Sequence, residues 1–83
     1  MNTRTSDSAP ASSVTPMISI TANGRRHDVP RDQPLDEFLR SVGLQPKLVV
    51  VERNGQALTP GEARTTVLAA GDVLEIVRIV AGG

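Results

Sequence analysis

The sequence predicts an α+β domain in which one helix packs on a mixed sheet of four or five strands. Three observations support this fold class. Two Asn-Gly pairs, Asn23-Gly24 and Asn54-Gly55, each stand between short extended runs and predict two β-hairpins. One stretch with helical apolar spacing lies between the hairpins, and residues 73–80 form a final strand-like run. The predicted order of elements is therefore hairpin, helix, hairpin, connector and strand.

Length and composition restrict the classes of function. The 83 residues have room for one small domain, which argues against a deep catalytic pocket. Because cysteine is absent, disulfides, thiolate metal sites and a thiol nucleophile are excluded. Formal net charge is zero, no basic run occurs and Phe38 is the one aromatic residue, so nucleic acid is a poor candidate partner. No signal peptide and no apolar run of membrane-spanning length occur, so we expect no membrane association and a cytoplasmic location.

The first sixteen residues differ in composition from the rest of the chain. Ser, Thr, Ala and Pro dominate residues 1–16, and Val14 is the one large apolar residue after Met1. Such a segment cannot bury enough apolar surface to offset its ordering entropy. We therefore predict a disordered tail over residues 1–16 and a folded domain over residues 17–83.

The folded pattern opens with a hairpin. Ile18 and Ile20 alternate with polar residues, which is the period of a half-buried strand. The Asn23-Gly24 turn then predicts a return strand over residues 25–29. His27 lies in this strand as the only histidine of the chain, without a partner for a zinc site. We interpret it as a surface or edge residue without a catalytic role.

A single helix is predicted next. Its apolar stripe has the spacing i, i+3, i+4, i+7 and consists of Leu35, Phe38, Leu39 and Val42. Pro34 suits the first helical position, where its missing N–H is not needed. Asp36 and Glu37 suit the positive end of the helix dipole, so we do not interpret them as a catalytic pair. Gly43 is the predicted left-handed stop.

The second half of the chain begins with an apolar run of one leucine and three β-branched valines. Residues 48–51 show no alternation, which is typical of a strand that is covered on both sides or lies inside the sheet, so we assign them to the core. The Asn54-Gly55 turn leads to a short strand over residues 56–58. Residues 62–66 are compatible with one turn of helix.

The connector then leads into the last strand. Val67 and Leu68 are predicted anchors into the core, and Gly71-Asp72 is the predicted turn. Alternation places Leu74 and Ile76 of the last strand on one face, under the helix.

The other face of the last strand carries aliphatic residues where polar ones are expected. Val77 and Ile79 share that face, and Val80 follows them. Exposed aliphatic residues of this kind mark interaction sites. We therefore predict that Val77, Ile79 and Val80 dock a partner. The alternative is that a second layer or a homodimer covers this face.

The sequence ends in Gly82-Gly83 directly after the strand. Glycine has no side chain to bury and the largest entropy cost on ordering, so the pair contributes nothing to a fold. A tail without Cβ atoms can enter a narrow cleft, where the Gly83 carboxylate is open to reaction. The alternative is a frayed end, as is common at chain termini.

The order of elements resembles the ubiquitin-like β-grasp. In addition, five strings resemble the ThiS family, the sulfur carriers of thiamine biosynthesis: Val51-Glu52-Arg53-Asn54-Gly55, Thr66-Val67-Leu68, Gly71-Asp72, Leu74-Glu75-Ile76-Val77 and Gly82-Gly83. This resemblance covers residues 17–83. The extension over residues 1–16 departs from the family pattern, as does Glu62-Ala63-Arg64, where similar proteins often place a bulky residue.

The resemblance implies a carrier without an active site of its own. An E1-like enzyme would adenylate the Gly83 carboxylate with ATP and magnesium, and the adenylate would become a thiocarboxylate. The implied sulfur donor is a cysteine desulfurase or similar protein, and the implied acceptor is thiazole synthase. Gly82 would complete the tail, and the carrier itself would bind no cofactor and no metal.

Three alternatives remain open from the sequence. A MoaD-like small subunit of molybdopterin synthase shares the fold and the tail chemistry. A ubiquitin-like modifier would use the same adenylate to form an isopeptide bond, although Lys47 is the only lysine available for self-linked chains. The third is a β-grasp interaction module in which the Gly-Gly end has no role.

Overall fold

The computed structural model describes residues 15–80 of the chain. The predicted disordered tail lies outside the described residues except for Thr15 and Pro16. Pro16 contacts the domain, since its carbonyl accepts a hydrogen bond of 2.8 Å from the Arg31 N–H. The predicted tail residues Gly82 and Gly83 also lie outside the described part.

The described residues form one mixed sheet. Its five strands are, in chain order, β1 (Met17–Ala22), β2 (Arg25–Pro30), β3 (Val49–Arg53), β4 (Gln56–Ala57) and β5 (Val73–Arg78). The order across the sheet is β2-β1-β5-β3-β4. β5 is central, parallel to β1 and antiparallel to β3. This sheet, with a helix on one face, confirms the predicted β-grasp.

Both predicted hairpins form around their Asn-Gly turns. The φ angles are 49° and 80° at Asn23 and Gly24, and 52° and 84° at Asn54 and Gly55. Two consecutive positive φ angles are those of a type I′ turn, whose twist matches that of the flanking strands. The first hairpin joins β1 to β2, and the second joins β3 to the two-residue β4.

Helix α1 (Leu35–Ser41) covers one face of the sheet. Leu35, Phe38 and Leu39 are buried as predicted. The prediction for Val42 is wrong, because this residue follows the helix as its C-cap and is 41% exposed. Pro34 precedes the helix as its N-cap, one position earlier than predicted, because its extended backbone (ψ 142°) bridges to Val67.

The predicted glycine stop of α1 is confirmed. Gly43 has φ +84°, and its N–H donates to the Arg40 carbonyl over 3.0 Å. The Leu44 N–H donates to the Leu39 carbonyl over 2.9 Å. These two bonds make a Schellman motif, which satisfies carbonyl groups at the helix end.

The turn of helix considered for residues 62–66 is observed as a second helix in the connector, α2 (Pro60–Thr65), which begins two residues earlier. Thr59 and Glu62 close a capping box: the Glu62 N–H donates to the Thr59 hydroxyl (3.1 Å), and the Thr59 N–H donates to the Glu62 carboxylate (2.9 Å). α2 buries Ala63, so the short side chain lets the helix lie close to the core. A short 3-10 helix also spans Pro46–Leu48.

The core lies between the sheet and the two helices. Ten buried apolar residues form it: Ile20, Ala22, Val29, Leu35, Phe38, Leu39, Val51, Ala63, Leu68 and Leu74. His27 is half-buried, and its ring packs edge-on against Phe38 with 5.2 Å between centroids. This contact accounts for His27 as a packing residue of the edge strand.

The interpretation of residues 48–51 as core on both sides is wrong in part. β3 does lie inside the sheet, and Val51 is buried. Leu48 and Val50, however, are about half exposed. The helices cover only one face of the sheet, so alternate residues of β3 lie on the open face.

Candidate docking surface and tail exit

β5 is held between the two hairpins by their asparagine side chains. The Asn23 amide accepts a bond of 2.7 Å from the Ile76 N–H and donates one of 3.1 Å to the Ile76 carbonyl. Asn23 thereby takes the place of a strand residue where β1 turns away. β1 pairs with β5 only at Thr21 and Ala22, so β5 extends past its parallel neighbour toward the tail.

A buried carboxylate fixes the beginning of β5. Asp72 accepts bonds from the Ala69 N–H (2.8 Å), the Asn54 amide (3.1 Å) and the Arg53 guanidinium (3.0 Å). Burial acts to raise the pKa of Asp72, but the bonds from Ala69, Asn54 and Arg53 outweigh it and hold the pKa below its ordinary value. The Asn54 side chain also accepts from the Val73 N–H over 2.8 Å, so the second turn is joined directly to β5.

The two faces of β5 are placed as predicted. Leu74 is fully buried, and Ile76 packs against the core while half-buried. Val77, Ile79 and Val80 are 64%, 52% and 84% exposed. The predicted docking residues are thus accessible within the described part of the chain. Their role in docking remains a prediction.

Two further residues belong to the same exposed surface and were missed from the sequence. Val50 lies directly opposite Val77 in the antiparallel pairing. The Leu48 carbonyl accepts a 2.8 Å bond from the Ile79 N–H, and both side chains line one groove. We call Leu48, Val50, Val77 and Ile79 the apolar strip. The missing alternation in residues 48–51 was its signal in the sequence, since it puts apolar residues on both faces.

The apolar strip runs to the point where the tail leaves the domain. The bond from Ile79 to Leu48 is the last rung between β3 and the C-terminal segment that the described residues show. Three residues follow Val80, and three residues span at most about 10 Å when extended.

The described residues contain no group of three or more His, Cys, Asp or Glu side chains that could hold a metal ion. Within residues 15–80, no helix has both the length and the apolar character needed to cross a membrane.

The family model of the ThiS family matches residues 16–83. The fold is also similar to the crystal structure of a thiamine biosynthesis protein (ThiS) from Geobacter metallireducens, with 28% identity and a TM-score of 0.66 over 80% of this chain and 100% of that one. A solution structure of a thiamine biosynthesis protein from the same organism aligns with 28% identity and a TM-score of 0.61, over 80% of this chain and 88% of that one. The search of curated protein sequences gave no significant match. With the β-grasp fold and a family match over most of its length, the chain belongs to the ThiS family.

Proposed function

We propose that this protein is a sulfur carrier of thiamine biosynthesis whose Gly83 carboxylate is the reactive group. Membership of the ThiS family supports the role, as does the likeness to two thiamine biosynthesis proteins. The observation that carries the proposal is the exposed apolar strip beside the tail exit. It would let partner enzymes bind the body of the domain while the tail enters their active sites.

The proposed chemistry begins with activation of the tail. A carboxylate is a poor electrophile, so an E1-like enzyme would let a Gly83 oxygen attack the α-phosphorus of ATP, with magnesium bound to the phosphates and pyrophosphate leaving. A sulfur nucleophile from a cysteine desulfurase or similar donor would then add to the carbonyl carbon. AMP would leave with its oxygen, and the carbonyl carbon would be bonded to the outer sulfur of the donor's persulfide. A second thiol would then cleave the S–S bond by disulfide exchange, which leaves the thiocarboxylate on Gly83 and a disulfide on the donor side. The thiocarboxylate would then deliver sulfur to thiazole synthase in the cytoplasm.

The carrier's own contribution to this sequence is recognition and presentation. Gly82 and Gly83 carry no Cβ atoms, so an extended tail can pass through a narrow entrance. β5 is held at Asp72 and at Ile76 by the turn asparagines, so the origin of the tail has a defined position. A fixed origin limits the positions that the Gly83 carboxylate can reach. This limit lowers the entropy cost of the reaction that follows.

The test is an ATP–pyrophosphate exchange assay with the E1-like enzyme of the same organism. We expect the double variant Val77→Asp with Ile79→Asp to keep the circular dichroism and melting curve of the wild type but to lose exchange. Val73→Asp is the matched control, because Val73 is similarly exposed at the far end of the same strand. It should retain exchange.

Deletion of Gly83 should abolish exchange while leaving the fold and the binding to the enzyme intact. Wild-type exchange activity in the double variant Val77→Asp with Ile79→Asp would show that docking occurs elsewhere. An absence of exchange with the wild-type protein would contradict the carrier role itself. Intact mass spectrometry of protein from its native host should further show replacement of one oxygen by sulfur at the C-terminus.

The same experiments separate the alternatives. A MoaD-like subunit would also exchange pyrophosphate, but its thiocarboxylate would be consumed by a pterin-modifying partner and not by thiazole synthase. A modifier would appear as covalent adducts to lysine side chains of other proteins. An interaction module would keep its function after removal of Gly83.

A further inference from the structure

The end of the domain where the tail leaves carries a group of basic side chains. We call them the basic collar: Arg40, Lys47, Arg64 and Arg78. The first three line one groove of about 310 Å³. Arg78 lines the adjoining groove, which shares Leu44 and Gln45 with the first and also contains residues of the apolar strip. The collar is therefore continuous with the strip.

Most of this positive charge is not neutralised within the described residues. Arg64 forms an ion pair with Asp36, with 2.7 Å from Nε to Oδ2 and 3.0 Å from the guanidinium to Oδ1. None of the other ion pairs found within residues 15–80 involves Arg40, Lys47 or Arg78. The tail exit thus carries three positive charges without an acidic neighbour in ion-pair contact.

Local stabilisation accounts for only part of the collar. Arg40 lies in the last turn of α1, where a positive charge is favoured by the helix dipole. Lys47 lies in the last turn of the 3-10 helix Pro46–Leu48, but three residues make only a small dipole. No such reason applies to Arg78, and both side chains are exposed. The whole chain has nine basic and nine acidic residues, so its net charge is zero. The excess of positive charge at the tail exit therefore arises from where the basic residues are placed in the fold. These like charges repel each other.

We propose that the basic collar binds an acidic protein surface at the entrance to the active site of the activating enzyme. This inference rests on the proposed function and names the charge of its partner. A protein partner is favoured over nucleic acid because the collar borders the apolar strip and because Phe38, the one aromatic residue, is buried and cannot stack on bases. The strip would supply affinity, and the collar would orient the tail toward the entrance.

Exposed charges at the rim of an interface act mainly on association and are screened by salt. The collar is exposed, so its removal should slow productive encounter without changing the chemistry on Gly83. The expected signature is a higher KM for the carrier with an unchanged kcat. Variants of the apolar strip should show a defect that added salt does not reduce, because burial of aliphatic side chains does not weaken as salt is added.

The experiment compares Lys47→Glu with Arg78→Glu, singly and together, in the full-length carrier. Arg31→Glu is the matched control: this exposed arginine follows β2 at the end of the sheet away from the tail. In the exchange assay at low ionic strength, the double variant should raise the KM for the carrier roughly tenfold or more, with kcat unchanged. The difference should shrink in about 0.5 M salt, where the screening length falls below about 5 Å. Arg78→Lys should restore most of the wild-type KM, because it keeps the charge.

An unchanged KM in the double variant, while the wild type shows exchange, would overturn the inference and leave the carrier role intact. So would an equal effect of Arg31→Glu, or an effect that salt does not reduce. A wild type without any exchange would contradict the proposed function instead. Tight binding of a single-stranded RNA oligonucleotide, lost in the same variants, would assign the collar to nucleic acid and also overturn the inference.

Discussion

The covered and open faces of the sheet use similar aliphatic residues for different purposes. On β5, Leu74 is fully buried under α1, whereas Val77, three residues later, is 64% exposed. On β3, Val51 is buried and its neighbour Val50 is half-exposed. The alternation of the strand and the presence of helices on one side only decide which residue is buried. Hydrophobicity alone therefore does not distinguish the core of this protein from its candidate docking surface.

The open face also differs from the covered face in its charges. Glu52 and Glu75 lie directly opposite each other in the β3–β5 pairing, and both are exposed. Like charges at directly opposed positions destabilise a sheet. On the covered side the buried carboxylate, Asp72, is fully paired. The open face thus retains a pair of like charges that does not contribute to the stability of the sheet.

The largest expected effect tests the covered face. Phe38→Ala should lower the free energy of unfolding by about 3–5 kcal/mol, because Phe38 is the largest fully buried side chain. A domain of this size has roughly 5–8 kcal/mol in total, so the variant should be marginal or unfolded at room temperature. Thermal melting followed by circular dichroism measures the change. Val42→Ala is the control. Val42 follows the same helix as its C-cap and lies outside the core, so this variant should melt close to the wild type.

The next prediction compares the two faces within one strand. Leu74→Ala should cost about 2–4 kcal/mol, because it leaves a cavity in the core. Val77→Ala should change stability by less than about 0.5 kcal/mol, as is usual for exposed positions. Urea denaturation of both variants provides the comparison. Equal losses would show that another layer covers the open face, for example a second copy of the chain.

A third prediction concerns the buried carboxylate at the beginning of β5. Asp72→Asn should cost about 2–3 kcal/mol near neutral pH, because the amide cannot accept all the bonds that Arg53, Asn54 and Ala69 donate. The pKa of Asp72 in the folded protein is lowered, so its contribution is present above the ordinary value of 3.8 and is lost as the pH falls through the lowered value.

Urea midpoints measured between neutral pH and pH 2 test this contribution. The difference between wild type and Asp72→Asn should be largest near neutral pH and should narrow in acid. Asp28→Asn is the control, because its ion pair with Arg26 is exposed at both ends and contributes little. A gap between the Asp72 variant and wild type that stays constant with pH would contradict the assignment of the lowered pKa.

The smallest expected effect has the opposite sign and tests the open face. Glu75→Gln should raise the stability by about 0.2–0.5 kcal/mol, because it removes the repulsion from Glu52. Glu37→Gln, in the first turn of α1, should instead lose a few tenths of a kcal/mol of the favourable dipole interaction. A loss of stability in Glu75→Gln, seen as a lower urea midpoint, would mean that Glu75 has a partner in the folded domain.

Much of the fold could be predicted because local patterns determine it. The Asn-Gly turns, the apolar stripe of α1 and the stop at Gly43 all act within a few residues. The misses arise where a local pattern competes with packing. Val42 continues the helical spacing, but the Schellman motif ends the helix before it. α2 has a capping box at Thr59 and Glu62, yet its six residues are too few to show an apolar period.

The candidate site was predictable only in part. Alternation along β5 was enough to predict that Val77 and Ile79 are exposed on the open face. Leu74 is buried, and this fixes which alternate residues of the strand are covered. Leu48 and Val50 could not be assigned in the same way. Their run is apolar at every position, so the phase of β3 depends on which face the helices cover.

The sequence by itself determined the two hairpins, the buried stripe of α1 and the last strand, together with the Gly-Gly end and the neutral net charge, since these depend on residue identity and short spacing. The tertiary structure decided the rest. The parallel pairing of β1 with β5 brings together residues about fifty positions apart, and it makes the last strand central. The antiparallel pairing of β3 with β5 places Lys47 and Arg78, distant along the chain, at the same tail exit as the apolar strip. These contacts depend on which strands pair with each other and on which face of the sheet the helices cover. Spacing along the sequence does not predict them.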